Sequence, residues 1–226
     1  MDESKLYGKV APGEFYRKAG ARLTEEADPS QIAHKVGTPE RNLPLLKAYH
    51  MFDKAHVVML AEEGFEDLEY WVTLMRLQEE RAEVVTVGPK RGAVVRSKSG
   101  GLTAEIERAA DEIDASSVDA VVVPGGWAPD KLRRYPAITA LVRRVYDQGK
   151  VVGMICHAGL VGISAGIVRD HRATGSLGIK DDLVNAGAIW EDVAALRDKN
   201  LVWGRVVPDI PDFCRELVAA ISADSP

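Results

Sequence analysis

Val151-Val152-Gly153-Met154-Ile155-Cys156-His157-Ala158-Gly159 begins with five residues that carry no polar side chain and breaks onto a cysteine, a histidine and a glycine. A short unbroken apolar run is the pattern of a strand buried on both faces, and residues 157–166 read as a helix. The change of pattern places Cys156 at a strand-to-helix elbow.

The same alternation extends outward. His56-Val57-Val58-Met59-Leu60-Ala61 reads as a first buried strand. It is followed by a helix over 66–81, where Leu68, Trp71, Val72, Met75 and Leu77 recur at helical spacing, and by a strand over 83–87. Val94 and Val95 with the Gly100-Gly101 turn suggest a small hairpin. Val118-Asp119-Ala120-Val121-Val122-Val123 is a further buried strand, ended by Pro124-Gly125-Gly126. A helix over 137–148 closes on Gly149. Strands over 188–192 and 201–207 and a helix over 210–222 complete the chain. Strand, helix, strand in this order gives an α/β fold, an open and mostly parallel sheet with helices on both faces.

Residues 1–52 differ. Breaks at Pro12-Gly13, Pro29 and Gly37-Thr38-Pro39 interrupt scattered apolar residues, with short helices predicted over 14–26 and 43–51. They are read as an N-terminal arm, and 53–226 as one α/β domain.

The 226 residues are 46% hydrophobic and 28% charged, with a formal net charge of −5, which leaves no basic footprint for nucleic acid. No apolar run has the length of a membrane span, so a cytoplasmic location is expected, with no membrane partner. The two cysteines stand in different contexts, and neither a disulfide framework nor a metal site is expected. No glycine-rich phosphate loop is present, so no cofactor is expected.

In open parallel sheets ligands gather beyond the carboxyl ends of the strands. Glu66, Pro124-Gly125-Gly126 and Cys156-His157 all fall there. A helix start after Cys156 would favour its thiolate, the reactive form. A cysteine in an apolar segment more often only packs, but the adjoining histidine and the flanking Gly153 and Gly159 favour a nucleophile. His157 is placed to act as acid and base. Glu66 lies in an acidic run that would ordinarily cap a helix, yet its place at the mouth of the first strand makes it the carboxyl candidate. Gly125 and Gly126 offer amides for an oxyanion, and Trp127 follows them. Cys214, beside Phe213 and Leu217, is assigned to the core. His34, His50, His56 and His171 have no comparable company and are read as surface or structural residues.

Ile155-Cys156-His157-Ala158-Gly159, Pro124-Gly125-Gly126-Trp127-Ala128-Pro129-Asp130, Gly64-Phe65-Glu66-Asp67-Leu68-Glu69 and Gly178-Ile179-Lys180-Asp181-Asp182-Leu183-Val184-Asn185-Ala186-Gly187 together resemble the DJ-one/PfpI/ThiJ superfamily, closest to its PfpI-like branch, over about residues 54–222. The resemblance implies a flavodoxin-like three-layer sandwich of the glutamine-amidotransferase kind. It implies Cys156 as nucleophile, His157 as its partner, Glu66 as the carboxyl that contacts the sulfur, and the amides of Gly126 and His157 as the oxyanion hole. It also implies that Asp130 reaches the histidine of a neighbouring subunit, so that a homodimer or higher oligomer completes the site. Ala158-Gly159 and Trp127 depart from the common pattern, with Gly125, Gly126 and Trp127 read as lining the substrate site.

The expected chemistry is thiolate addition to a small carbonyl compound, an aldehyde or other electrophile, of the glyoxalase III or deglycase type. Isonitrile hydration and specialised biosynthetic steps use the same thiolate. An intracellular cysteine peptidase, and a non-enzymatic stress chaperone or redox sensor, are the alternatives.

Overall fold

The computed structural model describes residues 55–224; the N-terminal arm and its two predicted helices lie outside the described residues. Strand β1 (His56–Leu60) leads to helix α1 (Asp67–Glu79) and strand β2 (Glu83–Gly88). A hairpin of β3 (Val94–Arg96) and β4 (Thr103–Glu105) precedes the short edge strand β5 (Arg108–Ala109). Then come β6 (Ala120–Val123), helices α2 (Ala128–Leu132) and α3 (Pro136–Asp147), β7 (Val151–Ile155) and helix α4 (Gly159–Ser164). The chain continues through β8 (Arg172–Ala173), α5 (Lys180–Asn185), β9 (Ile189–Trp190), β10 (Ala195–Asp198), β11 (Leu201–Gly204) and α6 (Ile210–Asp224).

Seven strands form the main sheet in the order β10-β11-β7-β6-β1-β2-β5, parallel throughout except for β10 against β11. Val57 to Leu60, Ala120 to Val123 and Val151 to Ile155 are all buried, as central strands covered on both faces must be. The chain leaves β1 toward β2 on one side and later leaves β6 toward β7 on the other. Two right-handed crossovers running in opposite directions put α1 and α3 on opposite faces. Helix α6 packs beside α1 and on β7, β10 and β11, which completes the three layers. Because strand order reverses between β1 and β6, a crevice opens at their carboxyl ends.

Some elements differ from expectation. Residues 188–192 contribute only the two-residue β9, which pairs with β8 in a separate small sheet. The antiparallel edge strand β10 was not predicted, because only Leu196 of its four residues is fully buried. The largest difference is the phase of α1. Its buried side carries Glu69, Tyr70, Thr73, Leu74 and Leu77, while Leu68 (48%), Val72 (41%) and Met75 (59%) are exposed. The more apolar stripe faces outward and a polar one faces in. No helix among the described residues is long and apolar enough to cross a membrane.

Candidate active site

Three segments meet at the β1–β6 crevice. The loop after β1 and the turn after β6 are joined by backbone hydrogen bonds: Glu66 N donates to Gly125 O (3.1 Å) and Trp127 N to Gly64 O (2.7 Å). Phe65 also pairs with Ser97, which brings the β3–β4 hairpin against the same loop. The elbow after β7 supplies the third segment.

Cys156 sits at that elbow with φ of +62°, in the left-handed region that costs a non-glycine residue about 1–2 kcal/mol. The tight turn lifts the side chain out of the strand, leaving the residue half-buried. Its Sγ lies 3.2 Å from His157 Nδ1, and the amides of Gly126 and His157 are directed at it. These are the two amides expected of an oxyanion hole.

The carboxyl facing the sulfur is that of Glu69, which corrects the expectation for Glu66. Glu66 is the N-cap of α1, its Oε2 accepting from Leu68 N and Glu69 N, both at 2.9 Å. One turn further in, Glu69 is fully buried, and its Oε2 accepts from Gly125 N at 2.7 Å. Glu69 Oε1 has no hydrogen-bond partner among the described residues, and the carboxyl as a whole interacts with the Cys156 thiol. The sequence did carry a signal. With Glu66 as N-cap, Glu69 is the third helical residue, the position whose side chain turns back toward the helix start.

Gly125 is where the fit is tightest: a Cβ there would come within 2.7 Å of both Cys156 Cβ and Glu69 Oε2. At Gly126, with φ of +76°, a Cβ would meet Gly64 O at 2.4 Å. Neither position admits a side chain. Trp127 is 61% exposed and stands beside Gly64 at the rim, and Leu177 (67% exposed) flanks Gly178, which lies close to His157 Nε2. Asp130, on α2, is exposed and paired with Arg134, whereas the side-chain hydrogen bond of His157 in this chain is to Cys156.

Burial pushes Glu69 up to about 7. Burial and the neighbouring Glu69 carboxylate push Cys156 up to about 12, opposite to the depression expected from the helix start. Desolvation and a carboxylate beside the sulfur outweigh the dipole of a helix of only six residues. Between those values the pair carries one proton, held on Cys156, and moving it onto Glu69 leaves the thiolate. Burial, and then the positive charge of Lys98, hold His157 below its ordinary value. Among the described residues no three His, Cys, Asp or Glu side chains converge as metal ligands. Cys214 is buried, its Sγ 3.8 Å from Thr73 Oγ1, as expected of a core residue.

Residues 55–220 match the DJ-1/PfpI family. A deglycase of Pyrococcus abyssi is 37% identical over 162 residues, covering 72% of this chain and 96% of that one. The protein/nucleic acid deglycase 2 of Escherichia coli is 32% identical over 168 residues, 74% of this chain and 98% of its own. The crystal structure of a two-domain protein from Anabaena variabilis, with DJ-1/ThiJ/PfpI-like and ferritin-like domains, superposes with a TM-score of 0.72 at 36% identity, covering 74% of this chain and 48% of that one. A buried acid and two aligned amides around an elbow cysteine, on a sheet of this order and with relatives of this extent, place the chain in the DJ-1/PfpI family.

Proposed function

We propose that the chain is a deglycase-type enzyme that acts through Cys156 on 2-oxoaldehydes or their adducts with thiols and amines. The observation that carries this reading is the buried Glu69 carboxyl, held by Gly125 N and facing a Cys156 sulfur at which two amides are directed. Both curated relatives cited above are named deglycases.

In the proposed reaction an adduct first sheds its thiol or amine, which takes up the proton of the adduct's hydroxyl and so restores the aldehyde; the Cys156 thiol proton then moves to the Glu69 carboxylate as Sγ bonds to the aldehyde carbon. The Gly126 and His157 amides take the developing oxyanion, which is then protonated to a hemithioacetal. A base, Glu69 or His157, removes the proton on that carbon, and the electron pair passes to the neighbouring carbonyl to give an enediol. Reprotonation at the second carbon leaves a 2-hydroxy thioester, so that one carbon is oxidised, its neighbour is reduced, and no external oxidant is used. Water then cleaves the C–S bond, releasing the 2-hydroxy acid and restoring the thiol. A carboxyl held near 7 is suited to carrying protons both ways at neutral pH. In the same reading Asp130, exposed on α2, serves the histidine of a second copy of the chain, so that the active form is a homodimer or larger.

The test is release of lactate from the methylglyoxal adduct of N-acetylcysteine, with free methylglyoxal in parallel. Cys156→Ala is expected to lower the rate by at least about 10³-fold with an unchanged circular dichroism spectrum. Turnover that survives Cys156→Ala overturns the assignment.

A further inference from the structure

The hairpin that adjoins the site has a cation at its margin. Lys98 follows Ser97, the residue paired with Phe65, and donates its own backbone N–H to Phe65 O at 2.7 Å. Phe65 is also the residue that pairs with Gly126, the source of one of the two amides. Residue 98 is thereby fixed to the loop from which the sulfur's surroundings are built.

Lys98 is exposed and makes no ion pair among the described residues. The nearby acids are otherwise engaged. Glu62 accepts from Glu63 N, Glu63 from Arg96 N, Glu66 from the first amides of α1, and Asp67 from Ser99 N. The charge of Lys98 is nonetheless felt inside the site, where it favours the Glu69 carboxylate and opposes protonation of His157. Elsewhere the rim presents apolar surface, in exposed Trp127 and Leu177. A cation without an ion pair, on a residue anchored to the loop beside a carbonyl-attacking thiol and flanked by carboxylates already engaged with amides, is a receptor for one charged group.

We propose that Lys98 is a specificity residue that draws a substrate carboxylate to the mouth of the site, so that the preferred substrates are carboxylate-bearing carbonyl compounds or adducts. This inference rests on Cys156 being the nucleophile, and its test is independent of turnover. Iodoacetate and iodoacetamide both alkylate a thiolate with loss of iodide; they differ chiefly in the carboxylate. Their rates at Cys156 are followed by peptide mass spectrometry, normalised to a free thiol, with buried Cys214 reporting on folding.

The wild-type protein is expected to favour iodoacetate about tenfold, the order of an interaction between unit charges at partial exposure. Lys98→Arg retains the preference, and Lys98→Met brings it to that of the free thiol. A wild-type ratio equal to the free thiol's, or one unchanged in Lys98→Met, overturns the proposal for Lys98 alone. Cys156 that resists both reagents overturns the nucleophile reading and this one with it. Lactate release with no charge preference in alkylation leaves the deglycase reading standing and removes Lys98 from it.

Discussion

Among the described residues, the clusters around His171 and His157 both combine a histidine with a carboxyl group and differ in how far their members are satisfied. His171, at 4% exposure, has both ring nitrogens engaged, Nε2 with Tyr146 Oη at 2.7 Å and Nδ1 with Asp198 Oδ2 at 2.9 Å. Asp198 also accepts from Arg172 N. This closed acid–histidine–phenol chain ties the end of α3 to β10. His157 instead touches a half-buried sulfur on a residue at positive φ, beside a buried carboxyl with one orphan oxygen. Completeness marks the structural histidine and incompleteness the chemical one, since groups already satisfied have nothing left to offer a substrate.

The comparison can be broken most forcefully at Glu69. Glu69→Gln keeps the shape and removes the group that accepts the thiol proton, and is expected to reduce kcat about 10³-fold in the lactate assay, whereas substitutions at His171 are expected to leave kcat within about twofold. Equal losses at the two places would erase the distinction.

Glu69 also imposes a pH dependence on stability. Its folded value, about 7, lies above its ordinary value of 4.5, so between those limits the folded state holds a proton that the unfolded chain has lost. Stability therefore falls as pH rises through that window and levels off beyond it. Urea unfolding is expected to show Glu69→Gln gaining about 3 kcal/mol on the wild type between pH 4.5 and 7.

His171→Leu should act the opposite way, costing about 2–3 kcal/mol because Tyr146 Oη and Asp198 lose their buried partner, with activity per folded molecule retained. The smallest effect is expected at Glu66. Glu66→Ala removes the cap of α1 and should cost about 1 kcal/mol, with a kcat change far below that of Glu69→Gln. A kcat loss at Glu66 as large as that at Glu69 would restore the first assignment.

What was legible in the sequence, and what was not, follows from the same physics. The unbroken apolar runs of β1, β6 and β7 reveal central strands because burial on both faces leaves no alternation to misread. Cys156, His157 and the glycine pair were legible because they lie where those strands end. Glu69 was not, since Leu68, Val72 and Met75 outline a more apolar face than the one α1 buries, and periodicity selects the greasier side. Lys98 was hidden for a different reason: it reaches the site through a hairpin whose docking on Phe65 is a long-range contact with no local pattern.

The pairing of Phe65 with Gly126 has a consequence for the growing chain. The carboxyl at 69, the amide at 126 and the sulfur at 156 come from three strand ends, and the backbone bonds among residues 64–66 and 125–127 are what bring the first two together. A nascent polypeptide that has not yet reached its elbow cysteine holds the carboxyl and the Gly126 amide but no sulfur for them to act on. The atom that attacks carbonyls is thus made only after the two groups that govern it.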